Sequence, residues 1–171
     1  MTTVGRIVAV TAGSAYAAPA ADLFDEYRVH YGQTPEPDRA AAWLSQQRND
    51  GGLRLYLAIG EPPGRPIGLI SVLEMPASLR MGTFWSIRDL YVPPAHRRGG
   101  VARALLDHVV NAARTAGALR VSLQTEPDNA AAQALYQSAG FHPIHDLDLL
   151  SLTLTDGQGG DHQRSPGPRP I

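Results

Sequence analysis

The sequence predicts an α/β fold in which a mixed, twisted sheet of six or seven strands carries helices on both faces. Apolar runs of strand length dominate the first half of the chain, and the apolar period then changes to that of a helix across residues 101–113. Another strand pattern follows this helix, and a strand–helix–strand order implies a crossover between parallel strands. A chain of 171 residues that is 43% hydrophobic is long enough for one domain with a real core.

The first half of the chain is predicted to contain strands and two helices. Residues 7–10 form a short apolar run, and residues 19–30 place leucine and aromatic side chains at helical spacing. Asp38 is expected to cap a second helix, after a loop that contains glycine and proline. Residues 53–59 and 67–73 are predicted to be strands of a hairpin, because the segment between them is rich in proline and glycine.

The second half begins with a strand over residues 83–92, which two prolines end. The helix that starts at residue 101 is expected to stop at Gly117, and residues 119–125 alternate like a half-buried strand. An alanine-rich helix over residues 129–138 should end at Gly140.

Residues 141–154 are predicted to add one or two strands and to complete a single domain, 1–154. Residues 155–171 contain four glycines and three prolines without apolar periodicity, which is typical of a flexible tail.

Composition excludes several classes of function. The chain has no cysteine, so it has no disulfides and no thiolate nucleophile or metal ligand. The net charge of −1 gives no overall attraction to nucleic acid or to a membrane. No apolar stretch approaches the ~20 residues that cross a bilayer, and the N-terminus lacks the pattern of a secretory signal. We therefore expect a cytoplasmic protein.

One loop combines glycine with positive charge at the start of a helix. Gly99 and Gly100 carry no side chains, so an anion can approach the backbone amides at the helix start. Residues 88–103 hold four arginines and one aspartate, a local balance of +3. This pattern predicts a pyrophosphate site, and the alternative is a loop that merely enters a helix. The loop has neither the lysine of a triphosphate-binding loop nor the glycine spacing of a dinucleotide fingerprint.

Two motifs give the chain a resemblance to a known family, the GNAT N-acetyltransferases. The first motif is Leu90-Tyr91-Val92-x-Pro94 followed by Arg97-x-x-Gly100-x-Ala102. The second is Asn129-x-x-Ala132-x-x-Leu135-Tyr136-x-x-x-Gly140-Phe141. The resemblance covers about residues 4–154 and is nearest to the histone and polyamine acetyltransferase-like branch. It implies transfer of an acetyl group from acetyl-CoA, used as a co-substrate, to a primary amine of a small molecule or protein.

The resemblance also assigns roles to residues of this chain. Tyr136 is expected to be the general acid that protonates the leaving thiolate, and Asn129 is expected to hydrogen-bond the pantetheine arm. The remaining cofactor contacts fall on the end of a strand and on the glycine loop: Leu90, Tyr91, Val92, Arg97, Arg98, Gly99, Gly100, Val101, Ala102 and Arg103.

The general base cannot simply be transferred from relatives. Polyamine-acetylating relatives have a glutamate immediately before the aspartate that corresponds to Asp89, and this chain has Arg88 there. Asp89, Glu126 and Glu74 remain as candidate bases, each of which could instead be a solvated charge at a strand end. Arg88 is a candidate for binding a carboxylate of the acceptor, and its alternative is an ion pair on the sheet.

Other expectations concern the acceptor and the assembly. Tyr31 and Glu74 are candidate acceptor-binding residues, although aromatic side chains on the first helices are also typical of a core. A weakly catalytic acetyl-CoA sensor and the transfer of longer acyl groups are alternatives to acetylation. Relatives often form homodimers. No metal is expected, because His142, His145 and Asp146 would not converge on a strand.

Overall fold

A five-stranded mixed sheet forms the centre of the described part of the chain. The computed structural model describes residues 3–61, 64–145, 150–152 and 154. In order across the sheet, the strands are β1 (Thr3–Ala9), β2 (Leu53–Glu61), β3 (Pro66–Ala77), β4 (Gly82–Tyr91) and β5 (Val121–Ser122). The first four strands pair antiparallel, and β5 pairs parallel with β4. The predicted crossover is therefore confirmed.

Helices cover both faces of the sheet, as predicted. The helices α1 (Ala17–His30) and α2 (Pro37–Asn49) pack on one face, and α3 (Val101–Thr115) and α4 (Ala130–Ser138) pack on the other. Alternation along β2 separates the two cores, because successive strand side chains point to opposite faces. Leu55 and Leu57 face α1 and α2, whereas Tyr56 and Ala58 face α3.

Several predicted boundaries differ from the structure. Residues 141–145, 150–152 and 154 form no strand, while residues 146–149, 153 and 155–171 lie outside the described residues, so six or seven strands are not confirmed. The helix α2 begins at Pro37, which places Asp38 in its first turn and not at its cap. Two prolines end β4 as predicted, but β5 pairs with β4 over two residues only.

The ends of α3 and α4 have the predicted glycines. Gly117 and Gly140 have φ angles of +72° and +90°, which glycine adopts without strain. After each glycine, the next amide returns to a carbonyl inside the helix: Ala118 to Ala113, and Phe141 to Tyr136. This closure is a Schellman motif, and in α4 it fixes the direction in which the chain leaves the helix at Phe141.

No helix in the described part of the chain has both the length and the hydrophobicity needed to cross a bilayer.

Gly68 of β3 lies against α3 and supplies a test of the packing. A Cβ at position 68 would lie 2.9 Å from Val101 Cγ1, 3.1 Å from Leu105 Cδ1 and 3.2 Å from the Tyr91 carbonyl oxygen. We therefore expect Gly68→Ala to lower the free energy of unfolding by about 1–3 kcal/mol, measured by urea denaturation. The control is Gly64→Ala, where a Cβ would meet open space. Equal stability of the two variants would contradict this packing.

Candidate active site

A cleft opens where β4 and β5 separate. Parallel pairing joins Trp85 to Val121 and Ser86 to Ser122, and the pairing ends there. Beyond it, β4 continues to Tyr91 beside β3 alone, so one edge of its backbone faces the cleft. The cleft has a volume of about 160 Å³. It brings together six of the predicted site residues: Tyr31, Arg88, Leu90, Glu126, Asn129 and Tyr136.

A β-bulge shapes one wall of this cleft. Ser71 pairs with Asp89, and the next residue of β3, Val72, pairs with Ile87, so Arg88 is an extra residue in β4. The Arg88 side chain is exposed and lines the cleft. The described residues give it no ion-pair partner, so the predicted alternative, a pair with an acid on the sheet, does not form among them.

Asp89 lies beside the cleft and does not line it. Its Oδ2 accepts a short hydrogen bond from the Ser71 hydroxyl, which is buried in the sheet. Tyr27 of α1 lies close to this carboxylate. Burial of the phenol and the nearby Asp89 carboxylate raise the pKa of Tyr27. Asp89 thus lies beside Tyr27, which itself lines the cleft.

Aromatic side chains from α1 form the outer wall of the cleft. The ring centroid of Tyr27 lies 5.1 Å from that of Tyr31 and 5.5 Å from that of Tyr91. Burial, and secondly the Glu126 charge, raise the pKa of Tyr31 to about 12. Tyr91 itself is buried, and its hydroxyl donates to Glu26 Oε1 at 3.1 Å. Only the backbone of Tyr91 remains available to a ligand.

Local structure at both ends of α4 positions Tyr136. Asn129 is the N-cap of α4, and its Oδ1 accepts a hydrogen bond of 3.1 Å from the Ala132 amide. At the other end, the closure at Gly140 places the Phe141 ring edge-on to the Tyr136 ring, with centroids 6.0 Å apart. Burial, followed by the Glu126 charge, raises the pKa of Tyr136 to about 12. The phenol is therefore a protonated donor at neutral pH.

Glu126 is the acidic side chain that reaches this cleft. It follows the end of β5, is exposed to solvent and lines the cavity. Its charge contributes to the raised pKa values of Tyr27, Tyr31 and Tyr136, so it lies near all three hydroxyls. A carboxylate beside a neutral phenol provides both a proton acceptor and a proton donor in one cavity.

The predicted anion loop leads into α3 with an uncapped helix start. Gly100 occupies the N-cap position with a φ of +79°, and Arg98 also has a positive φ of 64°. No side chain caps the helix, and the first amide that returns to the Gly100 carbonyl is that of Ala104. The three preceding helix amides have no partner within the helix, which makes this end suited to an anion.

The arginines of the loop have different neighbours. Arg97 Nε donates to the Val92 carbonyl oxygen at 2.9 Å, and its Nη2 lies 3.1 Å from His30 Nε2. This side chain therefore ties the loop to β4 and α1. Arg103 pairs with Asp107, with an Nε–Oδ1 distance of 2.8 Å, on the surface of α3.

Glu74 is the predicted site residue that the structure places elsewhere. It lies near the far end of β3, and its Oε2 is 2.6 Å from Arg54 Nη2. Neither residue lines the cleft, because the antiparallel register puts Glu74 beside Trp85, before β4 and β5 separate.

Sequence reasoning missed two kinds of site residue. Gln124 and Thr125 line the cleft, although their alternation with apolar residues suggested only a half-buried strand. Tyr27 was counted among the aromatic side chains of the first helices, with no signal that it lines the cleft. Among the described residues, no group of three or more potential ligands is arranged to hold a metal ion.

Comparisons with known proteins identify the family. Residues 18–141 match the Acetyltransferase (GNAT) family model. The chain is 31% identical over 125 residues to the uncharacterized N-acetyltransferase YhfO of Bacillus subtilis, which covers 73% of this chain and 83% of that protein. A crystal structure of a probable acetyltransferase superposes with a TM-score of 0.81 and 30% identity, covering 89% of this chain and 99% of that one.

A further solved structure shares the fold. A predicted acetyltransferase from Clostridium acetobutylicum, solved with acetyl-CoA, covers 93% of this chain and 100% of its own, with a TM-score of 0.68 and 16% identity. The resemblance to the histone and polyamine branch stays a prediction. The match to the family model, which spans most of the chain, shows that this protein belongs to the GNAT acetyltransferase family.

Proposed function

We propose that the protein transfers the acetyl group of acetyl-CoA to a primary amine of a small molecule or protein. The observation that carries this proposal is that Glu126 and Tyr136 line the same cleft, beside the free edge of β4. One is suited to accept a proton from the attacking ammonium, and the other is suited to give a proton to the leaving group.

The residues present fit acetyl-CoA. A pyrophosphate needs several N–H donors, and the uncapped start of α3 offers them behind Gly99 and Gly100. An amide-containing pantetheine arm can pair with a strand edge, and the backbone from Leu90 to Val92 provides one beside the cleft. Asn129 at the cleft wall, and Arg98 and Arg103 around the loop, complete the proposed binding residues.

The proposed chemistry uses groups whose protonation states suit their tasks. Acetyl-CoA, when bound, supplies an activated thioester and a thiolate leaving group. Glu126 accepts a proton from the acceptor ammonium, directly or through water, so that a neutral amine attacks. The backbone amides at the bulge can stabilise charge that develops on the carbonyl oxygen. Tyr136 holds its proton at neutral pH and donates it to the departing sulfur.

A thiol-release assay with acetyl-CoA and a panel of primary amines tests this function. Release of free CoA that depends on an amine, with the acetylated amine found by mass spectrometry, is the expected result. Binding of acetyl-CoA without turnover on any amine would favour a sensor. Faster release from propionyl-CoA or butyryl-CoA than from acetyl-CoA would favour transfer of longer acyl groups.

Glu126→Gln tests the proposed base. The amide keeps the shape of the side chain but accepts protons poorly, so we expect kcat/KM to fall about a hundredfold at pH 7. The loss should shrink as the pH rises, because the acceptor amine then loses its proton without help. Asp128→Asn is a matched control, since Asp128 follows in the same loop and does not line the cleft. An equal loss in both variants would contradict the assignment.

Arg88 is proposed to select acceptors that carry a carboxylate near the amine. It is exposed, so its pairing with a ligand carboxylate is worth about 1 kcal/mol or less. Arg88→Ala should therefore lower the ratio of kcat/KM for acidic over basic amine acceptors by about threefold to fivefold. Arg80→Ala, also an exposed arginine but outside the cleft, should leave this ratio unchanged. An unchanged ratio in Arg88→Ala would remove Arg88 from the acceptor site.

A further inference from the structure

A second cavity, of about 330 Å³, opens at the other side of the sheet. Regular pairing of β1 with β2 ends at Ala9 and Tyr56, followed by one hydrogen bond from the Val10 amide to the Leu55 carbonyl. The first residues of β2 extend past this point and leave a gap, which the end of α2 borders. None of the residues around this cavity lines the cleft between β4 and β5, so the two are separate.

Arg48 gives this cavity an unbalanced positive charge. It lies in the last turn of α2, and its Nε is buried without a hydrogen-bond partner. The guanidinium makes no ion pair or hydrogen bond with any described residue. A buried donor without an acceptor is destabilising, and most such groups in native proteins meet a partner. A ligand that brings an acceptor into the cavity would satisfy this donor.

Arg54 adds a second guanidinium that is held in place. Its Nη2 lies 2.6 Å from Glu74 Oε2, and its Cζ lies 4.8 Å from the centroid of the Trp85 ring. These contacts hold the guanidinium beside Glu74 and Trp85, and Arg54 itself borders the cavity. Glu74 itself does not line the cavity, and neither does any other acidic side chain of the described residues. The lining is therefore positive, with no carboxylate of its own.

The rest of the wall is partly apolar, and Thr11 and Asn49 are its polar residues. Val10, Leu53 and Leu55 are buried residues that border this cavity on the face covered by α1 and α2. A hydrated inorganic anion has no apolar surface to bury against such a wall and would gain no affinity from it. A carboxylate with a short apolar body would bury that body against the wall. Arginine also matches a carboxylate geometrically, because its planar fork can donate two parallel hydrogen bonds.

We propose that this cavity binds a small organic carboxylate, with the carboxylate on Arg48 and the apolar part against Val10 and Leu53. The site lies outside the catalytic cleft, and its occupant is a ligand in addition to the two substrates. Arg54, at the rim, favours the same charge.

The fluorescence of Trp85 can report whether the cavity is occupied, because Trp85 lies beneath the guanidinium of Arg54, which borders the cavity. The full-length Trp43→Phe variant leaves Trp85 as the only tryptophan, and Trp43 lies on α2 outside the cavity. Titration with hexanoate should change the Trp85 fluorescence saturably, whereas hexanamide, the neutral isostere, should bind at least tenfold more weakly. Acetyl-CoA at a saturating concentration should not displace hexanoate.

Arg48→Met in the same background assigns the binding to Arg48. Methionine retains an unbranched stem without the guanidinium, so hexanoate affinity should fall about tenfold or more. The Tm should not decrease, because an unsatisfied buried donor is removed. Arg39→Met, on the same helix but exposed and paired with Glu36, should leave the affinity unchanged.

Four results would overturn the proposal. Hexanamide could bind as tightly as hexanoate, Arg48→Met could retain full affinity, or acetyl-CoA could displace hexanoate. If inorganic phosphate bound as tightly as hexanoate, the site would recognise negative charge alone, and the apolar wall would contribute nothing to the affinity.

Discussion

A fall in kcat of about a hundredfold or more is expected when Tyr136 is replaced by phenylalanine, because a positioned general acid contributes at least that much. The change removes one hydroxyl and keeps the ring that packs edge-on against Phe141. The KM for acetyl-CoA should change little, since the hydroxyl is proposed to act on the leaving group alone. Steady-state release of CoA thiol, measured with a saturating amine, separates the two parameters.

The pH profile provides a second check on Tyr136. Its pKa of about 12 means that the hydroxyl is protonated at every pH well below that value. The kcat of the unmodified enzyme should therefore not decline between pH 7 and pH 10 through loss of this acid. Tyr16→Phe is the control, because Tyr16 only accepts a hydrogen bond from Arg6 on the surface. A kcat for Tyr136→Phe within about threefold of the control would exclude Tyr136 as the general acid.

Binding of acetyl-CoA is expected to weaken by about tenfold to a hundredfold in the variant Gly100→Val. The side chain would occupy the space through which a pyrophosphate approaches the amides of α3, and each charged hydrogen bond lost is worth about 1.5–3 kcal/mol. Valine at a φ of +79° is also strained, which lowers stability. The dissociation constant can be measured by isothermal titration calorimetry.

The variant Gly117→Val is the control that separates the effect of backbone strain from the loss of contact with the ligand. Gly117 has a φ of +72° at the other end of the same helix, and a Cβ at either position would meet no atom within 4 Å. Both variants should therefore lose a similar free energy of unfolding, and only Gly100→Val should lose affinity for acetyl-CoA. Equal affinity losses would mean that general destabilisation, and not the loop, explains the effect.

The fold was largely predictable from local patterns. The alternation along β2 and the helical stripe of α3 report burial directly, so the two-sided sheet followed from them. Gly117 and Gly140 marked helix ends because their positive φ angles favour glycine. The short pairing of β5 was not predictable, because side-chain alternation shows which face is buried and not whether a neighbouring strand is in reach.

The site was predictable where a motif fixed it and not where it depends on pairing between distant strands. Asn129 and Tyr136 reach the cleft because they lie at fixed positions on one helix. Glu74 seemed close to the site only because its position in β3 could not be aligned with β4 in advance. Tyr27 and Asp89 lie close together although they are 62 positions apart in the chain, and such proximity leaves no local pattern.

The bulge at Arg88 makes one position of a central strand independent of the core. Ile87 and Leu90 both pack toward α3, although residues three positions apart in a regular strand point to opposite faces. The extra residue between them allows both side chains to lie on the α3 face of the sheet. Arg88 therefore has no place to fill in either core. Saturation mutagenesis at this codon should yield a library whose members fold within about 0.5 kcal/mol of one another while presenting different chemistry to the acceptor. Directed evolution of acceptor preference can begin there without prior stabilisation of the scaffold.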